Sequence, residues 1–282
     1  MYKLSCFADE ISPFLSEQIE VLKKTEIRYI EARGIDNKNI ADLTIAEAKE
    51  AKKKLDADGF QVSALGAPTG KIGILDNFEP HLDQFKHLLE LMTVFETEYI
   101  RVFSFYIPKD ANFDQYTDPV LERMQKFLDA AKGMNIKVLH ENEHGIFGNI
   151  PERCKLLSKE LNNPMFKLIY DSSNYILEGV EAYPHAFETV CDETIYYHIK
   201  DAVYSENRVV PAGMGDGQLP SMLGRLVKYG YDGFFSIEPH LGYFEGLAAF
   251  EHNLDIASMP KGGPQLFMIA YEALKNILNN IK

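Results

Sequence analysis

Lys137-Val138-Leu139-His140-Glu141-Asn142-Glu143, Phe166-Lys167-Leu168-Ile169-Tyr170-Asp171, Thr194-Ile195-Tyr196-Tyr197-His198-Ile199-Lys200 and Phe234-Phe235-Ser236-Ile237-Glu238 are four short apolar runs that each end on a charged or imidazole side chain. Rich in Val, Ile, Leu, Phe and Tyr, they read as strands buried on both faces of a parallel sheet. Helical patterns separate them: Pro151–Leu161, Tyr183–Val190 and Gln218–Lys228, with Pro264–Asn280 after the last.

The alternation extends upstream. Strands are predicted at Lys3–Phe7, Arg28–Arg33, Phe60–Leu65 and Tyr99–Tyr106, and helices at Ser12–Lys24, Thr44–Asp58, Pro80–Glu96 and Tyr116–Lys132. The first helix carries Phe14, Leu15, Ile19 and Leu22 on one face behind a Ser-Pro start; the second has an N-cap Thr44 and a Gly59 stop. A βαβ unit takes about 30 residues, so eight repeats nearly fill the 282-residue chain as one (β/α)8 TIM-barrel domain over 1–282. A doubly wound open sheet is the alternative, but its G-x-G-x-x-G turn after the first strand is missing, and Gly215-Asp216-Gly217 lies far downstream.

The formal charge of −13, from 29 Lys and Arg against 42 Asp and Glu, opposes a nucleic-acid partner. Cys6, Cys154 and Cys191 stand singly, as free thiols of a reducing compartment do. The N-terminus meets Asp9-Glu10 before an apolar signal core forms, and no apolar run reaches the roughly 20 residues of a membrane helix; Arg101 interrupts the best candidate. The expectation is a soluble cytoplasmic protein without a membrane partner.

In a TIM barrel, chemistry sits at the C-terminal ends of the strands. Glu141, Asp171, His198 and Glu238 end four consecutive strands there. Singly, each reads as a helix cap, an ion-pair partner or a core histidine. Together, donors of O, O, N, O type at strands about 4.8 Å apart suit one divalent metal ion, Mn2+, Mg2+, Co2+ or Zn2+.

The Glu-Asn of strand five, Asp-Ser-Ser-Asn of strand six, His-Ile-Lys-Asp of strand seven and Ile-Glu-Pro of strand eight resemble the xylose-isomerase-like superfamily. Within it, the chain is similar to the sugar phosphate isomerase/epimerase branch, which includes tagatose/psicose 3-epimerases and inosose dehydratases. Gly213-Met214-Gly215-Asp216-Gly217 resembles the glycine-aspartate-glycine loop of that branch. The resemblance implies a divalent metal on Glu141, Asp171, His198 and Glu238, with Glu141 and Glu238 as the acid/base pair. Two positions depart from it: Asn174 stands where a histidine is common, and Glu143 where Glu-Asn-His is common. The metal set survives both changes; the substrate contacts do not transfer.

Residues i and i+2 of a strand share a face, which puts Glu143 with Glu141, Lys200 with His198, His240 with Glu238 and Arg33 with Glu31. Arg33, Glu143, Asn174, Lys200 and His240 are the candidate substrate contacts. Arg33 suits bidentate binding of a hydroxyl, carboxylate or phosphate, or a buried ion pair with a neighbouring strand. Lys200 also has a structural reading, and His240 either lines the pocket or packs under Leu241–Gly263, a long connection with the makings of a lid. His81, His87, His185 and His252 read as surface residues.

The reaction class expected is isomerisation or epimerisation of a small-molecule sugar or sugar phosphate through a cis-enediolate. The alternatives are dehydration of a keto-polyol and a non-catalytic sugar-binding barrel. The zinc apurinic endonuclease of the same fold needs extra early histidines, and this chain has none before His81. A homo-oligomer is compatible with this reading.

Overall fold

The structure, a computed structural model, describes residues 2–243 and 259–281. The barrel strands are β1 (Lys3–Cys6), β2 (Tyr29–Ala32), β3 (Gln61–Leu65), β4 (Tyr99–Val102), β5 (Lys137–Glu141), β6 (Phe166–Asp171), β7 (Thr194–Ile199) and β8 (Phe234–Ile237). They form one parallel sheet in the order β1-β8-β7-β6-β5-β4-β3-β2. β1 and β2, the two ends of that order, lie side by side, so the ring is nearly closed. The register brings Asp171 opposite His198, and Ser236 opposite His198 on the other side.

The helices are α1 (Leu15–Leu22), α2 (Ile45–Ala57), α3 (Glu79–Phe95), α4 (Thr117–Ala130), α5 (Pro151–Leu161), α6 (Ser172–Leu177), α7 (Phe187–Val190), α8 (Leu219–Lys228) and α9 (Pro264–Asn280). Thr44 and Glu47 form a complete capping box at the start of α2, and Gly59 takes φ +74° just beyond its end. α5 and α9 each begin on a proline, whose missing N–H costs nothing there. The helices bury their apolar stripes against the outside of the ring. Inside it, Ala64, Leu139, Ile169, Tyr196 and Phe234 plug the floor.

All eight predicted strands are present, several of them shorter. Tyr99–Tyr106 ends at Val102, beyond which Tyr106 makes isolated bridges to Gly73 and Ile146. Phe14 precedes α1 and is 47% exposed; Gln18 takes its place on the buried face with Leu15, Ile19 and Leu22. Only Phe187–Val190 of the predicted Tyr183–Val190 helix is regular, because Tyr183 is extended and Ala182–Ala186 forms a wide turn. His81 is half-buried: its Nε2 accepts from Gly70 N, which requires a neutral ring, and burial holds its pKa down to about 4. The central part of the proposed lid, and His252 with it, falls outside the described residues. Among the described residues, no helix is long and apolar enough to cross a membrane.

Candidate metal centre

At the barrel mouth Glu141, Asp171 and Glu238 are each anchored through one oxygen and turn the other toward a common point, where Lys200 also reaches Asp171 and Glu238. Glu141, at the end of β5, accepts from Arg101 Nη1 on Oε2 at 3.0 Å. Its Oε1 lies 2.7 Å from His198 Nδ1. Asp171 caps α6 by accepting from Asn174 N on Oδ1 at 2.9 Å. Its Oδ2, fully buried and 3.8 Å from His198 Nδ1, has no hydrogen bond and only the Lys200 ammonium beside it, at 3.2 Å. Glu238, just beyond β8, accepts from Arg33 Nη1 on Oε1 at 3.0 Å and turns Oε2 toward His198 Nδ1 at 3.7 Å. One donor atom from each of Glu141, Asp171, His198 and Glu238 lies within 4.8 Å of the others.

The imidazole is aimed from behind. His198 Nε2 lies 3.1 and 3.2 Å from the two oxygens of Glu31, which also accepts from Ser236 Oγ at 2.7 Å. A carboxylate on Nε2–H frees Nδ1 to act as a ligand and raises its basicity. Below, Ser5, Ser63 and Tyr196 form a hydrogen-bonded polar layer across the ring. The ends of β5 and β6 are stitched by Asn142: its Nδ2 donates to Asp171 O, and its Oδ1 accepts from Asp171 N, both at 2.9 Å.

The fields follow from these contacts. Burial opposes charge on His198, yet Glu141 and Glu31 outweigh it and raise its pKa well above the ordinary imidazole value. Burial pushes Glu141 up, but His198 and Arg101 bring it down to about 2. Asp171, with burial dominant and Lys200 only partly opposing, rises to about 7. Glu238 is also pushed up by burial, but Lys200, His240, His198 and Arg33 together hold it well below the usual range. A cluster of four buried converging donors, three carboxylates and an imidazole held for Nδ1 ligation, fits a divalent cation.

The structure places all five candidate substrate contacts around this centre, each already engaged. Arg33 forks onto Asp9 through Nε and Nη2 at 2.8 and 3.1 Å, reaches Glu10 at 3.2 Å, and stacks over Phe7. Lys200 Nζ lies 2.9 Å from Glu238 Oε2 and 3.2 Å from Asp171 Oδ2. Glu143 accepts from Lys71 Nζ at 2.8 Å. Asn174 Nδ2 donates to Asn142 O at 2.9 Å. His240, at φ 44°, donates its backbone N–H to Glu10, and its Nε2 is 3.4 Å from Glu238 Oε1. Glu10, Glu238 and His240 also lie within 4.8 Å of one another, but Arg33 reaches all three and supplies the positive charge there.

Arg101, Lys71, Glu10 and Phe7 were not legible as site residues. Arg101 carried a signal, since a guanidinium inside an apolar strand needs a partner. Asp201, beside Lys200, accepts backbone N–H bonds from Ala202, Gly213, Gly215 and Gly217 at 2.9 to 3.0 Å. A Cβ on Gly215 would stand 2.3 Å from Ala202 O, so only glycine lets this loop wrap the carboxylate.

A profile described as the xylose isomerase-like TIM barrel matches residues 19–256. A comparison with curated protein sequences returns no match. Among solved structures, the chain is similar to the IolI protein with a bound zinc atom, at TM-score 0.74 and 17% identity over 99% of both chains. The probable 3-DHS dehydratase AsbF of Bacillus anthracis gives TM-score 0.72 and 16% identity over 100% of both. The 3-keto-D-glucoside 4-epimerase YcjR of E. coli gives 0.70 and 14%, over 99% of this chain and 100% of that one. At such identities the likeness speaks for the fold alone.

Proposed function

The chain belongs to the xylose isomerase-like TIM-barrel family, and we propose that it is a divalent-metal-dependent isomerase or epimerase of sugars, with Glu141 and Glu238 moving the proton. The observation that carries this reading is the set of three carboxylates, each anchored by one oxygen, whose other oxygens converge with His198 Nδ1. A divalent ion on Glu141, Asp171, His198 and Glu238 would polarise a carbonyl and make the neighbouring C–H acidic.

The residues themselves do the rest. Glu141 and Glu238 come from β5 and β8, three strands apart around the ring, and so flank a substrate from different sides. Both are held ionised at neutral pH by the cations beside them, so either can receive a proton. One removes the proton from one face of the carbon, giving a cis-enediolate, and the other returns it from the opposite face. Arg101 and Arg33 fix the two carboxylates in position through one oxygen each, and the other oxygen of each faces the centre, beside His198 for Glu141 and beside Lys200 for Glu238. Lys200, against Glu238, offers an N–H to a developing alkoxide. The same ammonium beside a leaving hydroxyl supports dehydration of a keto-polyol as a second reading.

A panel of ketoses, aldoses, their phosphates and keto-inositols in D2O with Mn2+ tests this. The product should carry deuterium at the reacting carbon. Glu141→Gln and Glu238→Gln should each lose more than the 10²–10⁴-fold typical of general-base removal, roughly, because each also holds the ion, whereas Glu143→Gln should be milder. Undeuterated product would point to a hydride shift and leave the glutamates as ligands only; a product lighter by one water would select the dehydratase. Absence of any C–H exchange would leave a binding barrel.

A further inference from the structure

Resting on the sugar-site reading above, we infer that this site selects an uncharged polyhydroxylated carbonyl compound and rejects its phosphorylated or carboxylated counterparts. The inference comes from the charge inventory of the mouth. Seven carboxylates gather there: Asp9, Glu10, Glu31, Glu141, Glu143, Asp171 and Glu238, all buried except Asp9, which is nearly so. Four cations face them, and each is bonded to a carboxylate. Arg33 holds Asp9, Glu10 and Glu238. Arg101 holds Glu141, Lys71 holds Glu143, and Lys200 lies between Asp171 and Glu238.

Burial raises the pKa of Glu10 to about 8, so with Glu10 protonated and the histidines neutral the excess is two negative charges, which a divalent ion balances. A phosphate dianion or a carboxylate entering this low-dielectric mouth finds no net positive field, and must break an existing ion pair to gain a cation. The adjoining cleft of about 860 Å³ sets Asp9, Glu10 and Glu17 against Arg33, Lys38 and Lys261, and Lys38 is already bonded to Glu47. Hydroxyl groups, which both donate and accept, fit carboxylate and ammonium walls without a charge penalty.

The test is a matched series: a neutral ketohexose, its terminal phosphate and its terminal carboxylate, each offered to the Mn2+-loaded protein. kcat/KM is measured alongside the dissociation constant, the latter from the water-proton relaxation of the bound Mn2+. The neutral member should be favoured at least about 100-fold in both readouts. Glu143→Gln removes one negative charge and releases Lys71, so discrimination against the phosphate should narrow roughly tenfold. Equal or better binding of the phosphate or carboxylate overturns the inference, as does failure of every neutral member to bind. If the neutral member binds preferentially but exchanges no C–H proton, the isomerase reading fails while the charge selection stands.

Discussion

Replacing Glu31, which touches no ligand atom other than His198, separates the aim of the imidazole from the ligands themselves. Both of its oxygens lie within 3.2 Å of His198 Nε2, and both residues are wholly buried. Glu31→Gln keeps an acceptor for Nε2–H and so keeps the tautomer, but it removes the charge that makes Nδ1 a stronger ligand. Glu31→Ala also leaves Nε2–H buried without a partner, at about 1–3 kcal/mol, and frees the ring to turn. Loss of such outer partners typically costs about 10–100-fold in metal affinity. The expectation is therefore about tenfold for Glu31→Gln and about 100-fold for Glu31→Ala, or ~1.4 and ~2.8 kcal/mol.

One effect opposes this. Glu31 also favours the proton that the metal must displace from His198, so its removal weakens that competitor. The dication carries twice the proton's charge and loses more, so the net change remains a loss. Mn2+ titration followed by electron paramagnetic resonance gives the affinities, and circular dichroism confirms the fold. If Glu31→Ala binds Mn2+ within threefold of the unaltered protein, with the fold intact, the reasoning is wrong.

Asp171→Ala and His198→Ala should each lose most of their bound metal, as read by elemental analysis; full occupancy in both would remove the site. Metal affinity should fall as pH falls, because His198 has its pKa raised and gives up a proton throughout the neutral range, and Asp171 gives up a second below about pH 7. Calorimetry in buffers of different ionisation enthalpy should thus show about one proton released above pH 7 and approach two below it; a pH-independent affinity would contradict the assignment. Asp201→Ala strips the acceptor from the N–H groups of Ala202, Gly213, Gly215 and Gly217 and should lower stability by roughly 2–5 kcal/mol in urea unfolding, against no change if the loop is held otherwise.

The two halves of the chain differed in how much they disclosed. The candidate ligands were legible because β5 to β8 are consecutive, and each has its donor within two residues of its last apolar position. Their partners were not. Arg101 sits mid-strand and finds Glu141 forty residues on, while Arg33 meets Glu238 across 205 residues. Such pairs exist only once the ring closes, and no local pattern encodes them. Phe14 misled for a different reason: the chain enters α1 through Asp36, whose Oδ1 accepts from Leu15 N, and this leaves Phe14 outside the first turn. The short α6 escaped because six residues show no period; Asp171 is both its cap and a candidate ligand, two readings the sequence offered as alternatives.

That division carries a mechanical consequence. The half of the ring from β5 to β8 supplies the donors and holds Asp171 through Asn142 and Asn174, while the half from β1 to β4 supplies partners that aim Glu141, His198 and Glu238. Phe7, Asp9 and Glu10 follow β1, Glu31 and Arg33 belong to the end of β2, Lys71 follows β3, and Arg101 lies on β4. Arg33 is the hinge of the arrangement: it ties Asp9 and Glu10, beyond β1, to the end of β2 at the seam where the ladder order stops. Through the same guanidinium it holds Glu238, beyond β8, so the closure of the ring and the pose of a ligand share one set of bonds. A carboxylate so held cannot swing away when the donors are drawn together, and its second oxygen, against Lys200, stays at the mouth. The ion pairs at the mouth thus act on geometry more than on stability, in line with the modest net worth of buried pairs.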